Sequence, residues 1–122
     1  MNVNIYILPL ILLVSGCASS GLYEWGKYDE SLYNYYKNPE NEEKLFLSLE
    51  KVIKDVSNKS NSFQKPIAPG LYAEYGYLLL ERGRYKDAIA VFKEEKKTYP
   101  ESSLLMDKMI KSASQQAKER SF

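Results

Sequence analysis

The side chains able to carry chemistry in this sequence are few, and their types exclude more than they suggest. Histidine is absent and Cys17 is the one cysteine. That removes the commonest general base and most transition-metal donor sets, and it leaves no second thiol for an internal disulfide. The carboxylates come in adjacent pairs, Asp29/Glu30, Glu42/Glu43 and Glu94/Glu95, interleaved with lysines. Adjacent residues do not converge on one point, so these pairs read as solvated helix faces rather than an acid and a base flanking a substrate. There is no glycine-rich phosphate loop and no Gly-x-Ser-x-Gly turn. The sequence therefore points away from an enzyme, with no small-molecule substrate, no metal and no cofactor. Lys and Arg number 17 and Asp and Glu 16, for a formal net charge of +1 without a block of one sign, so nucleic acid is not an expected partner.

Cys17 is best understood through what precedes it. Residues 3 to 14 are uncharged and mostly aliphatic, and small residues follow at once. Such a run is too short to span a bilayer, which takes roughly 20 apolar residues, and it fits the core of an export signal. The four residues Val14-Ser15-Gly16-Cys17 resemble the bacterial lipobox. That resemblance implies cleavage between Gly16 and Cys17, a thioether-linked diacylglycerol on Cys17 and an N-acyl chain on the new amino terminus. One departure is that no Lys or Arg precedes the apolar run. Two or more chains hold a protein stably in a membrane, whereas one does so only marginally. Ala18 stands where Asp would favour retention in the inner membrane. By that sorting rule the chain is an outer-membrane lipoprotein facing the periplasm.

The elements that must position any binding residues follow from periodicity. Residues 1–16 form the signal peptide, 17–22 the lipidated cysteine and a short tether, and 23–122 one α-helical domain. Trp25, Tyr28, Leu32, Tyr35 and Tyr36 recur at three- and four-residue steps, which predicts a helix over 25 to 37 ended by Asn38-Pro39. Trp25, Tyr28, Leu32 and Tyr35 share its packed face. Pro39 and the acids Glu40, Glu42 and Glu43 open a second helix, 40 to 57, with Leu45, Leu49, Val52, Ile53 and Val56 as its apolar stripe and Leu47 opposite. Ser57 to Pro69 reads as a connecting loop. Helices near 70 to 82 and 85 to 98 follow, separated by Gly83. A last helix runs from about 102 to 118, with Leu105, Met109 and Ala113 inside and Lys108, Lys111, Gln115 and Glu119 outside. The expectation is all-α: about five helices and no sheet.

Residues 69–102 span 34 positions, the period of the tetratricopeptide repeat. Gly76 stands at its small first-helix position, Gly83 in its turn, Tyr85, Ala88 and Phe92 in its second helix, and Pro100 at its close. Tyr72 stands where Trp is commonest. Leu79 and Glu95 depart from the pattern, and Glu95, at a usually small position, predicts looser packing there. Gly76 inside a helix costs about 1 kcal/mol relative to Ala, so it should have a packing reason. One repeat cannot bury its own faces. The two preceding helices and the last one, as a cap, would complete a TPR-like set of helical hairpins.

Eleven tyrosines are the compositional excess. Tyr23 and Tyr33 fall off the packed face of the first helix and would meet lipid headgroups or a partner. In tetratricopeptide proteins the concave side is lined by the first helix of each pair, which here would offer Ala73, Glu74, Tyr77, Leu80 and Glu81. Glu74, Tyr77 and Glu81 are the expected partner contacts, and they favour a basic or aromatic partner over a C-terminal carboxylate.

The segment Tyr23 to Pro39, with the lipobox before it and the repeat after it, resembles a family of small uncharacterised Gram-negative outer-membrane lipoproteins, a domain of unknown function. The resemblance implies genes beside that of a CsgG-like lipoprotein, similar to the curli export channel, and of a second small lipoprotein. It thus implies a non-enzymatic interaction or assembly module of an outer-membrane lipoprotein complex, with envelope proteins as partners. The alternatives are a regulator of an envelope or cell-wall synthesis enzyme and, from another class, an enzyme.

Overall fold

A computed structural model describes residues 21–58 and 65–120. The signal peptide, Gly16 and Cys17 lie outside the described residues, as does the middle of the loop after the second helix. The described chain is all-α, with five helices in order: α1 (Tyr28–Lys37), α2 (Glu42–Asn58), α3 (Leu71–Glu81), α4 (Tyr85–Thr98) and α5 (Ser103–Glu119). Short 3-10 turns, Pro39–Asn41 and Pro100–Ser102, precede α2 and α5. Each opens with proline, whose missing N–H is no loss at a helix start. In the first of them the Glu40 N–H donates to the Asn38 side chain at 3.1 Å.

The tightest packing is between α3 and α4, which run antiparallel. Gly83 makes their turn at φ +72, in the left-handed region that glycine enters at no cost. A Cβ on Gly76 would lie 2.5 Å from the Phe92 ring, so glycine at 76 is what lets the fully buried Phe92 ring lie against α3. That is the packing reason the sequence called for. Around this contact the core gathers Leu45, Leu49 and Val52 of α2, Leu71, Leu78 and Leu79 of α3, Ala88 of α4 and Met106 of α5.

Several elements depart from the expected pattern. Helix α1 starts at Tyr28 rather than 25, because Gly26 at φ +56 turns the chain before it. Trp25 therefore sits outside the helix, 43% exposed, and stacks on Tyr28 with ring centroids 6.0 Å apart. Tyr36 also leaves the packed face and is exposed, whereas Tyr28, Leu32 and Tyr35 pack against the core. On α2, Phe46 joins the buried stripe and tilts against Tyr75 at 5.2 Å, while Leu47 is exposed as expected. On α5 the inner face is Met106 and Ala113 with Met109 and Ile110 beside them. Leu105 is exposed, because the inner arc of α5 is centred on Met106 and its i+3, i+4 and i+7 neighbours rather than on Leu105.

Glu95 shows the largest departure. Instead of loosening the interface it is 2% exposed, and its Oε1 accepts the Gly70 N–H at 2.9 Å. A carboxylate from the end of α4 thus caps the start of α3, where the first helical amides lack partners and the dipole is positive. Burial nonetheless raises its pKa, against the lowering effect of the backbone amides of Gly70, Tyr72 and Ala73.

The loop before α3 is fastened on both sides. Glu24 donates its N–H to the Pro66 carbonyl at 2.8 Å and accepts the Ala68 N–H at 3.3 Å, an isolated parallel bridge to Ile67. The Tyr99 hydroxyl donates to the Ile67 carbonyl. Ile67 and Ala68 are buried although they belong to no helix.

Candidate partner-docking surface

Helix α1 is tied to α3 by one side-chain hydrogen bond near their starts. The Tyr28 hydroxyl at the start of α1 donates to Glu74 Oε2 in the first turn of α3. This pairing decides which of the sequence-picked residues face outward. Glu74 is half-buried and engaged by Tyr28, so it holds α1 on α3 rather than projecting to a partner. Burial first, then the Glu74 hydrogen bond and charge, push the Tyr28 phenol above its ordinary pKa, and it stays a donor. Tyr23 is partly buried against the core, not off the packed face.

Tyr33, Tyr77 and Glu81 are exposed, and Tyr36 is 76% exposed. Tyr36 pairs with Tyr35 at 6.0 Å between ring centroids on α1, and Tyr77 is the exposed ring of α3. Lys37 Nζ stands 4.5 Å from the Tyr33 ring centroid. The Glu81 carboxylate, through a side-chain hydrogen bond and its charge, raises the Tyr77 pKa. These exposed side chains offer aromatic faces, a neutral phenol at Tyr77 and one carboxylate. Such rings carry large contact area with few rotatable bonds and recur among residues that dominate protein interfaces. Tyr36 was missed as a contact because its four-residue step from Leu32 looks like a core position. It lies at the edge of the arc centred on Tyr28, Leu32 and Tyr35.

A groove of about 290 Å³ between α2, α3 and α4 has Ile53 and Val91 in its lining. At its rim Lys54 pairs with Glu50 at 3.1 Å and Arg84 with Asp87 at 2.8 Å. Among the described residues no cluster of acids, cysteine or histidine is placed to hold a metal ion, and no helix is long and apolar enough to cross a membrane.

The model of a family described as a domain of unknown function, DUF4810, matches residues 22–109. Neither a curated protein nor a solved structure matches the chain.

Proposed function

The chain belongs to the DUF4810 family, and from that premise we propose that it is a lipid-anchored docking module, without enzymatic activity, for an outer-membrane lipoprotein complex. One observation carries the reading: Tyr33 and Tyr36 of α1 and Tyr77 of α3 are large aromatic side chains left exposed, with Glu81 bonded to Tyr77. Uncovered aromatic area of this kind gains most by being desolvated against another protein. The helical hairpins are taken as TPR-like. The 34-residue spacing and the seating of Phe92 against Gly76 support that, as does the placement of Tyr77 and Glu81 on the first helix of the pair. The anchor is diacylglycerol with an N-acyl chain on Cys17, the membrane is the outer one, and the module faces the periplasm. The partner is an envelope protein, a CsgG-like lipoprotein first among them.

The test is a photocrosslinking amino acid at position 36, 77 or 86 of the lipidated protein in its own membranes. Adducts with the CsgG-like lipoprotein at 36 and 77, and none at 86, are the expected result. Equal adducts at all three positions, or none, would overturn the docking surface. For the anchor, labelled palmitate should enter the wild type and not Cys17→Ser.

A further inference from the structure

The helices define two ends. One gathers Glu24, the loop residues Pro66 to Gly70, the end of α4 at Tyr99 and the start of α5. The other gathers the start of α2, which Arg82 at the end of α3 reaches through Glu42 and Glu43, and the end of α5, where Arg120 covers Tyr85. The bridge between Glu24 and Ile67 fixes the chain's entry at the first end. Leu22, two residues before Glu24, is 78% exposed. Leu104 and Leu105, a few residues beyond the Tyr99 hydroxyl that bonds the Ile67 carbonyl, are also exposed, Leu104 at 72%. The most exposed aliphatic side chains of the described residues thus collect where the tether enters.

From this placement we infer that the entry end of the bundle rests on the lipid surface, with Leu22, Leu104 and Leu105 dipping among the headgroups. The inference rests on the proposed lipidation of Cys17. Four residues, Ala18 to Gly21, separate that cysteine from Leu22, and fully extended they reach at most about 14 Å. Held this close, even a weak contact is populated, because the anchor makes it intramolecular. Charge does not drive the contact. Lys96 pairs with Asp107 at 2.7 Å and Lys97 with Glu94 at 3.7 Å, while Lys65 and Glu101 offset one another in sign. The contact is therefore apolar, indifferent to salt and to anionic lipid. It also turns Tyr36 and Tyr77, nearer the opposite end, away from the bilayer and toward a partner.

The experiment uses the full lipidated protein in phosphatidylethanolamine vesicles containing lipid-borne nitroxide quenchers. A fluorophore is attached through Glu101→Cys at the entry end or Lys86→Cys at the opposite end, both exposed positions. The thioether on Cys17 leaves only the introduced thiol to react. Several-fold stronger quenching at 101 than at 86 is expected. It should persist in high salt and in phosphatidylglycerol, and fall to the level of 86 when Leu104→Glu and Leu105→Glu are combined. Both leucines are exposed, so the helical circular dichroism of that variant should match the wild type. Equal quenching at the two positions, or quenching unmoved by the leucine substitutions, would overturn the orientation while flotation with the vesicles still upheld the anchor. Failure of the wild type to float or to take up palmitate would overturn the anchor, and the orientation with it.

Discussion

At the end where the chain enters the bundle, the fastening is made of hydrogen bonds to backbone groups. At the opposite end it is made of arginine side chains. The entry end joins Glu24 to Pro66 and Ala68, Tyr99 to Ile67 and Glu95 to Gly70. The far end rests on Arg82, whose two terminal nitrogens reach Glu42 at 2.8 Å and Glu43 at 2.9 Å while its guanidinium lies 4.1 Å over the Phe46 ring. Arg120 stands over Tyr85 at 5.6 Å. Hydrogen bonds between uncharged backbone groups respond little to salt and tolerate little displacement. Solvated ion pairs are weak, screened and adjustable. The rigid fastening thus sits where Glu24 leads the chain into the bundle, and the adjustable one where α3 meets the start of α2.

The comparison breaks most readily at Gly26. Its φ is +56 and a Cβ would lie 2.2 Å from Val52 Cγ2, so Gly26→Ala meets left-handed strain and overpacking together. The expected loss is about 3 kcal/mol, lowering Tm by roughly 15 °C in a domain of this size. Thermal unfolding with a drop of only a few degrees would mean that the entry end yields more easily than its contacts imply. At the far end Arg82→Ala should cost about 1 kcal/mol, since both carboxylates are well exposed and the pairs are discounted for solvent. High salt should shrink the difference between variant and wild type in denaturant titrations. The same salt should leave the Gly26→Ala difference unchanged.

Glu95 separates the ends by pH. Its folded pKa is raised above the ordinary glutamate value near 4.5, so over the interval between the two pKa values the folded state holds more protons than the unfolded one. Stability on this account is fully present below the unfolded pKa and is lost as pH rises through the folded one. Glu95→Gln keeps an oxygen to accept the Gly70 N–H and cannot ionise. Its stability profile should be flatter across that window, measured as Tm against pH, with the variant equal to or above wild type on the alkaline side. A wild-type profile no steeper than that of the glutamine variant would show that the buried carboxyl adapts to its charge.

Much of this architecture was legible in the sequence because it rests on local periodicity. The all-α class, the turn at Gly83 and the close approach of Gly76 to Phe92 all follow from spacing and residue size. What escaped depends on partners distant in the chain. Glu95 looked like a misfit because its role, capping a helix 25 residues earlier, leaves no trace in its neighbours. Glu74 looked like an exposed acid until α1 brought Tyr28 to it across 46 residues. Leu105 looked internal because it stands four residues before Met109, but the buried face of α5 is centred on Met106, Met109, Ile110 and Ala113, and Leu105 falls outside that arc. The candidate surface was half legible. Tyr33, Tyr77 and Glu81 project outward as the helix positions suggest, whereas Tyr23 and Glu74 are used within the fold.

The smallest effect on stability should come from the exposed tyrosines of α1, and that small effect is informative. Tyr33 and Tyr36 touch little beyond Lys37 and Tyr35. An exposed cation over a ring is worth about 0.5–1 kcal/mol, and surface substitutions otherwise move stability by about 0.5 kcal/mol or less. Tyr33→Ser combined with Tyr36→Ser should therefore shift the denaturant midpoint only slightly, well short of Arg82→Ala. It should nevertheless abolish the crosslink from position 77 to the envelope partner. Unfolding and crosslinking read together distinguish a surface kept aromatic for binding from one kept aromatic for packing. Should the double variant fall in stability as far as Gly26→Ala, the rings belong to the fold, and the far end would lose its claim to be where a partner docks.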